Sequence, residues 1–133
     1  MAIKDIIVRP VQDDDYLEIC DWLKDRKWTI PPAKGSLPAT GYVAEENGQP
    51  IAAAFLYLTN SSIGIFDWLS TNPNSGYKGL IGLKKISEHI KKVSDPDVSV
   101  ILSFQGNGKL ANYMTKKLGY KRVEKVDTLA WVR

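Results

Sequence analysis

Thr71-Asn72-Pro73-Asn74-Ser75-Gly76-Tyr77-Lys78-Gly79-Leu80-Ile81-Gly82-Leu83 leaves one apolar segment and opens another. After it, Leu83, Ile86, Ile90 and Val93 recur at helical spacing, with Lys84, Lys85, Glu88, Lys91 and Lys92 mostly on the other face. A glycine-punctuated turn between a strand and a helix presents unpaired backbone N–H groups at the positive end of a helix dipole, a ready place for phosphate. Many such turns carry glycine only to reach positive φ. The order of the surrounding elements therefore decides how this one is read.

Upstream lie three strands in succession. Residues 41–46 and 49–59 flank Asn47-Gly48, a two-residue hairpin signal. Asn60-Ser61-Ser62 makes a second turn and residues 63–70 return as a strand. Before them, Ile6-Ile7-Val8-Arg9-Pro10 is a short strand stopped by proline. Asp13, Asp14 and Asp15 then supply capping acids for a helix over residues 16–26, with Leu17, Cys20, Trp22 and Leu23 as its apolar stripe. Residues 27–40, with three prolines, read as a long ordered loop, a kind of segment more often functional than idle. Trp28 in it either walls an acceptor pocket or anchors the loop to the core.

Downstream, Asp95-Pro96-Asp97 stops the helix. Residues 98–104 form a near-continuous apolar run, as for a central strand covered on both faces. Gln105-Gly106-Asn107-Gly108 turns into a helix over residues 109–118, closed by Gly119. Residues 120–126 and 128–133 read as two last strands. The order β-α-β-β-β-α-β-α-β-β predicts an α/β protein, a mixed sheet with helices packed on it, and a single domain over residues 1–133.

At 133 residues and 44% hydrophobic content, the chain suits one core. No apolar run approaches the roughly 18–20 residues that span a bilayer, so no membrane role is expected. With Cys20 the single cysteine, no internal disulfide forms, and a reduced, cytoplasmic setting is the natural expectation. One cysteine and one histidine, His89, argue against structural zinc. Cys20 is expected in the core and His89 at the edge of a buried stripe. Residues 1–70 hold six Lys/Arg against ten Asp/Glu, a net −4, whereas residues 71–133 hold twelve against five, a net +7. The basic half suits an anionic ligand with several phosphates, or is simply the solvated face of two helices. The lysines lack accompanying aromatic stacking residues, which argues against nucleic-acid binding.

This order of elements resembles the GNAT superfamily of N-acetyltransferases over essentially the whole chain. Ile7-Val8-Arg9-Pro10 is similar to that family's opening strand, Leu69-Ser70-Thr71-Asn72-Pro73 to the end of its fourth strand, and Lys116-Lys117-Leu118-Gly119-Tyr120 to the end of its last helix. The resemblance implies a GNAT-like acyl-CoA N-acyltransferase fold in which acetyl-CoA, as cosubstrate, enters a gap between splayed fourth and fifth strands. Its pantetheine arm would pair near Asp67, Leu69, Ser70 and Thr71. Its pyrophosphate would rest on amides around Gly76, Tyr77, Lys78, Gly79 and Leu80. The family pattern Gln/Arg-x-x-Gly-x-Gly/Ala falls here on Gly76, Gly79 and Ile81, so two of three positions depart from it. Lys78 would offer a compensating charge, and Ile81 would crowd the pyrophosphate.

Acetylation of an amine needs a neutral nucleophile, and a free amine has a pKa near ~10, so a base must help. The resemblance puts that base on the fourth strand, where Asp67 is the one acid. Alternation places it with Ile63, Ile65 and Leu69, on an apolar face that would raise its pKa. The other reading is a structural hydrogen bond or an exposed strand end. A backbone N–H near Leu69 or Ser70 would hold the developing oxyanion. The family's Tyr, four residues before the final Gly, falls on Thr115, leaving Tyr113 as a displaced candidate general acid or an amphipathic surface residue. Asn107 would contact the pantetheine arm or cap its helix.

Two functions remain open. One is an acetyl-CoA-dependent N-acetyltransferase acting on a primary amine of a small molecule or protein. The other is a GNAT-fold protein without catalysis, a binding or structural component such as a phage-encoded, virion-associated protein. A homodimer or protein partner fits either, and no interface is specified.

Overall fold

The computed structural model describes residues 5–25, 34–93, 97–105 and 108–123. Among these residues five strands and three helices follow in order: β1 (Ile6–Pro10), α1 (Tyr16–Asp25), β2 (Gly41–Glu46), β3 (Gln49–Leu58), β4 (Ile63–Thr71), α2 (Tyr77–Val93), β5 (Val100–Leu102) and α3 (Gly108–Lys117). The strands lie in one sheet in sequence order, β1-β2-β3-β4-β5. The first four are antiparallel, and β5 runs parallel to β4 after the α2 crossover. Asn47 and Gly48 both take positive φ, 52° and 78°, which a two-residue hairpin with the strands' twist requires.

Two apolar layers cover the sheet. On one face Ala52, Ala54, Leu56 and Phe66 meet Leu83, Ile86 and Ile90 of α2, and Leu110 and Met114 of α3 join them. On the other, Val43, Ala53 and Phe55 meet Ile19, Trp22 and Leu23 of α1. Leu17, expected in α1's buried stripe, is 74% exposed, and Ile19 fills the core position. Helical geometry puts 19, 22 and 23 on one side, and Leu17 lies off that arc. Cys20 is buried, as expected. Val93 is exposed rather than buried, because α2 runs past the edge of its packing surface.

Small residues bring α2 close to the strands. A Cβ on Gly82 would lie 2.9 Å from Ala52 Cβ and 3.0 Å from Ala44 Cβ. One on Gly79 would lie 2.8 Å from Thr71 Cβ and 2.7 Å from Ser75 Oγ. These two glycines fix the height of α2 above the sheet and bring its first turn beside the end of β4.

The start of the chain is pinned by charge. Arg9 of β1 grips Asp15 through two nitrogens at 2.8 and 2.9 Å and reaches Glu45 of β2 at 2.8 Å. Asp15 also accepts from the Gln12 N–H at 2.7 Å. The Arg9 hydrogen bond holds the Asp15 carboxyl below its ordinary range, and Asp15 in turn raises the guanidinium.

At the other end, β5 is shorter than the apolar run suggested and is not covered on both faces: Val100 is 47% exposed. The expected strand at residues 120–126 is absent from its described part, residues 120–123. There Gly119 takes φ 81°, the Tyr120 N–H donates to the Met114 carbonyl, and the Tyr120 ring stacks on Phe66 at 6.3 Å. Capping α3 takes up the backbone that a strand would have extended. The last expected strand, Trp28 and Asn107 lie outside the described residues.

Candidate active site

The site begins where β4 and β5 part. They are in register only at Ile63–Val100, Gly64–Ile101 and Ile65–Leu102. From Phe66 onward the β5-facing edge of β4 has no strand beside it among the described residues. Opposite, on the β3 side, Ala53 pairs with Ser70 and Phe55 with Asp67, so Ala54 faces two residues, Trp68 and Leu69. This is a bulge, and Trp68 takes it up at φ 55°. A non-glycine residue in this region is strained and is held only where its surroundings over-determine it. Trp68 Nε1 donates to the Tyr57 hydroxyl at 2.8 Å, which donates to the Ser36 carbonyl at 3.1 Å. That chain ties the bulge to the loop ahead of β2.

The bulge corrects one expectation. Asp67 lies opposite Phe55, on the α1 face, but Leu69 packs into the α2 layer. Simple alternation had put the two on one face; the extra residue reverses the phase beyond Asp67.

Asp67 is half-buried, two residues past the last β4–β5 pair. Burial pushes its carboxyl up to about 6, against the pull of the Trp68 backbone N–H and the Gln105 amide. Gln105 Nε2, just beyond β5, lies 3.4 Å from Asp67 Oδ1 and 2.7 Å from Ser103 Oγ. Gln105 did not stand out in the sequence; the signal was a polar residue directly after an apolar run.

The mouth of the gap is the turn from β4 into α2. Asn72 Oδ1 accepts from the Asn74 N–H at 3.0 Å, and its carbonyl takes the Ser75 hydroxyl at 2.6 Å. Gly76 follows at φ 59°, ψ −141°, with open space where a Cβ would stand. The helix starts at Tyr77, so amides of Gly76, Tyr77 and Lys78 lie at its positive end. The Gly79 N–H already bonds the Gly76 carbonyl at 3.2 Å. Ile81 is half-buried and packs against the core, where its branched side chain has neighbours.

Two other candidate side chains have partners. Lys78 Nζ is bound to both carboxylate oxygens of Glu46, at 2.9 and 3.1 Å. Tyr113 donates its hydroxyl to the Leu80 carbonyl at 2.9 Å, and burial, with Glu88 nearby, raises its pKa. Tyr113 therefore reaches the first turns of α2 from α3, while Asp67 lies with β5 and Gln105. Ser70 and Thr71 are buried in β4, and the Ser70 hydroxyl has no hydrogen-bond partner among the described residues. His89 sits at the edge of α2's packed face, 5.0 Å from the Tyr42 ring.

No protein-family model matches the sequence, and neither does any curated protein. Solved structures do resemble the fold. An acetyltransferase from Trypanosoma brucei aligns with TM-score 0.61 and 13% identity over 96% of this chain and 100% of that one. A Mycobacterium tuberculosis protein solved in complex with CoA aligns with TM-score 0.65 and 14% identity, covering 93% and 76%. N-acetylglutamate synthase of Neisseria gonorrhoeae, complexed with coenzyme A and L-arginine, gives TM-score 0.59 and 15% identity over 80% of this chain and 26% of that one. No helix among the described residues is long and apolar enough to cross a membrane. The chain has the fold of the GNAT acetyltransferases.

Proposed function

We propose that the protein is an acetyl-CoA-dependent N-acetyltransferase acting on a primary amine of a small molecule or a protein. The observation that carries this reading is a half-buried carboxyl, Asp67, raised to about 6 beside the point where two parallel strands part. Acetyltransferases of the same fold, and solved relatives in shape that hold coenzyme A, support it.

The residues present fit the cosubstrate. The edge of β4 from Asp67 to Thr71 turned away from β3, along which no strand lies among the described residues, offers backbone groups to a pantetheine arm. The amides of Gly76, Tyr77 and Lys78 offer a pyrophosphate its donors. Gly76 has room above it, and Gly79 keeps α2 against Thr71. Leu80, with Tyr113 on its carbonyl, braces that turn. When bound, acetyl-CoA supplies an acetyl thioester, an acyl donor toward amines.

Asp67 takes the proton that the amine gives up. At neutral pH it is ionised and ready to accept. A free ammonium of pKa near ~10 lies about four units above it, and each unit costs about 1.4 kcal/mol. The apolar surroundings that raise Asp67 also lower the pKa of an amine brought beside it, so burial narrows the gap from both sides. Backbone N–H groups at Leu69 or Ser70 hold the oxygen on which charge develops. Tyr113 serves as the acid for the departing thiolate if its hydroxyl leaves the Leu80 carbonyl.

A second reading, a binding protein without catalysis, is favoured by one observation: Lys78 and Tyr113 are both committed to protein partners. Thermal unfolding with and without acetyl-CoA separates the cases from a protein that ignores the cofactor. At a hundredfold excess over Kd, binding stabilises by about 2.7 kcal/mol, several degrees in Tm. Thiol release with an amine panel then separates enzyme from binder. A flat Tm at millimolar acetyl-CoA overturns the proposal.

A further inference from the structure

We propose that Gln105 and Ser103 form a reversible hydrogen-bond cradle that positions Asp67 in both of its protonation states, making Gln105 a positioning residue for proton removal at this site. The inference rests on the proposed role of Asp67 as base.

Gln105 Nε2 contacts the Asp67 and Ser103 oxygens together, at 3.4 and 2.7 Å. An ionised carboxylate only accepts, so the amide must turn an N–H toward it. The second amide hydrogen then goes to Ser103 Oγ. The Trp68 backbone N–H supplies another donor to Asp67, so the charged form is held from its own strand and from across the parting strands. Among the described residues no charged side chain contributes to its shift. The titratable neighbour on β3 is Tyr57, opposite Ile65, and its hydroxyl is engaged with Trp68 and Ser36.

Transfer of a proton to Asp67 inverts the requirement. The acid now has an O–H to donate and needs an acceptor. A half-turn of the Gln105 amide brings Oε1 to the place Nε2 occupied. It then accepts from Asp67 and also from Ser103, whose hydroxyl serves as donor or acceptor by rotating about its C–O bond. The Asp67 carboxyl thus finds a partner in either state, where an apolar or singly oriented neighbour would leave one state without. The hydrogen count is unchanged apart from the proton that arrived. A serine two residues before the glutamine suits this use, since a fixed carbonyl at that place would accept only.

The test is a carbon-13 NMR titration of the Asp67 carboxyl in the free, full-length protein, alongside the pH profile of turnover. The wild type should titrate near 6. Gln105→Leu removes the donor and should raise the value by about half a unit or more. Gln105→Glu places a second carboxyl at the site and should raise it further. Ser103→Ala should shift it in the same direction as Gln105→Leu, by less, because the amide remains but its orientation is no longer set. The ascending limb of turnover should move with each. A carboxyl titration unmoved in folded Gln105→Leu and Ser103→Ala overturns the cradle. Shifts in the free protein with no turnover from any variant or the wild type would instead overturn the acetyltransferase reading and leave the cradle in place.

Discussion

Asp67 is a carboxyl placed where folding would prefer none. Its folded-state value, about 6, stands above the ordinary carboxyl range, so its ionisation works against the folded state. The contribution from this group is fully present below about pH 4 and is lost as pH rises through 6. Asp67→Asn removes that loss. The variant should gain on the wild type between pH 4 and pH 7, by of order 2–3 kcal/mol before the altered hydrogen bonds are counted, and the difference should then level off. Turnover should fall by tenfold or more while acetyl-CoA binding changes little. Denaturant unfolding across this pH range checks the first; a stability difference independent of pH rules out an ionising, desolvated Asp67. This trade of stability for reactivity is what a working base would show. The sequence disclosed the residue, the lone acid on an apolar strand, but not its face. A tryptophan at φ 55° carries no signature in a string where glycine or asparagine would have announced the bulge.

At the scale of elements, the two glycines of the mouth answer to different constraints. Gly79→Ala drives a methyl to within 2.7–2.8 Å of Ser75 and Thr71 and should lift α2 from β4, costing about 1–3 kcal/mol and weakening the cofactor-dependent rise in Tm. Gly76→Ala meets no atom but must hold φ 59°, ψ −141°, and should cost a similar amount through backbone strain alone. Calorimetry of both, paired with crystal structures, distinguishes a shifted helix from a strained turn. The Arg9–Asp15–Glu45 staple is equally testable. Because Asp15 is held below its ordinary range, its stabilisation is present above about pH 4 and lost as pH falls through the depressed value. Asp15→Asn should cost about 1–3 kcal/mol at pH 7 and progressively less as the pH falls through the depressed value; a cost that does not change with pH would dismiss the charge. Element order, the Asn47-Gly48 hairpin and the helix faces were legible because they depend on local periodicity and turn chemistry. The extent of β5 was not, since an apolar run of seven residues does not say how many find a partner, and only three pair with β4. Gln105 was hidden for the same reason: its meaning comes from a strand 38 residues away.

Across the whole molecule, neighbouring strands are also neighbours in sequence, from β1 through β4. The β2–β3 and β3–β4 hairpins close through short turns, whereas β1 joins β2 across α1 and β5 joins β4 across α2. Contacts at short chain separation form early and cost little loop entropy. The seam at β5 combines such a long connection with three residue pairs, against five between β1 and β2, and is expected to be the last zipped and the first unzipped. Amide hydrogens of Val100, Ile101 and Leu102 should exchange with deuterium well ahead of those in β2 and β3, and ligand should slow them most. Equal protection along all five strands would contradict this. A crevice bordered by so brief a seam needs no hinge to admit a bulky guest: the sheet itself can breathe along its weakest line.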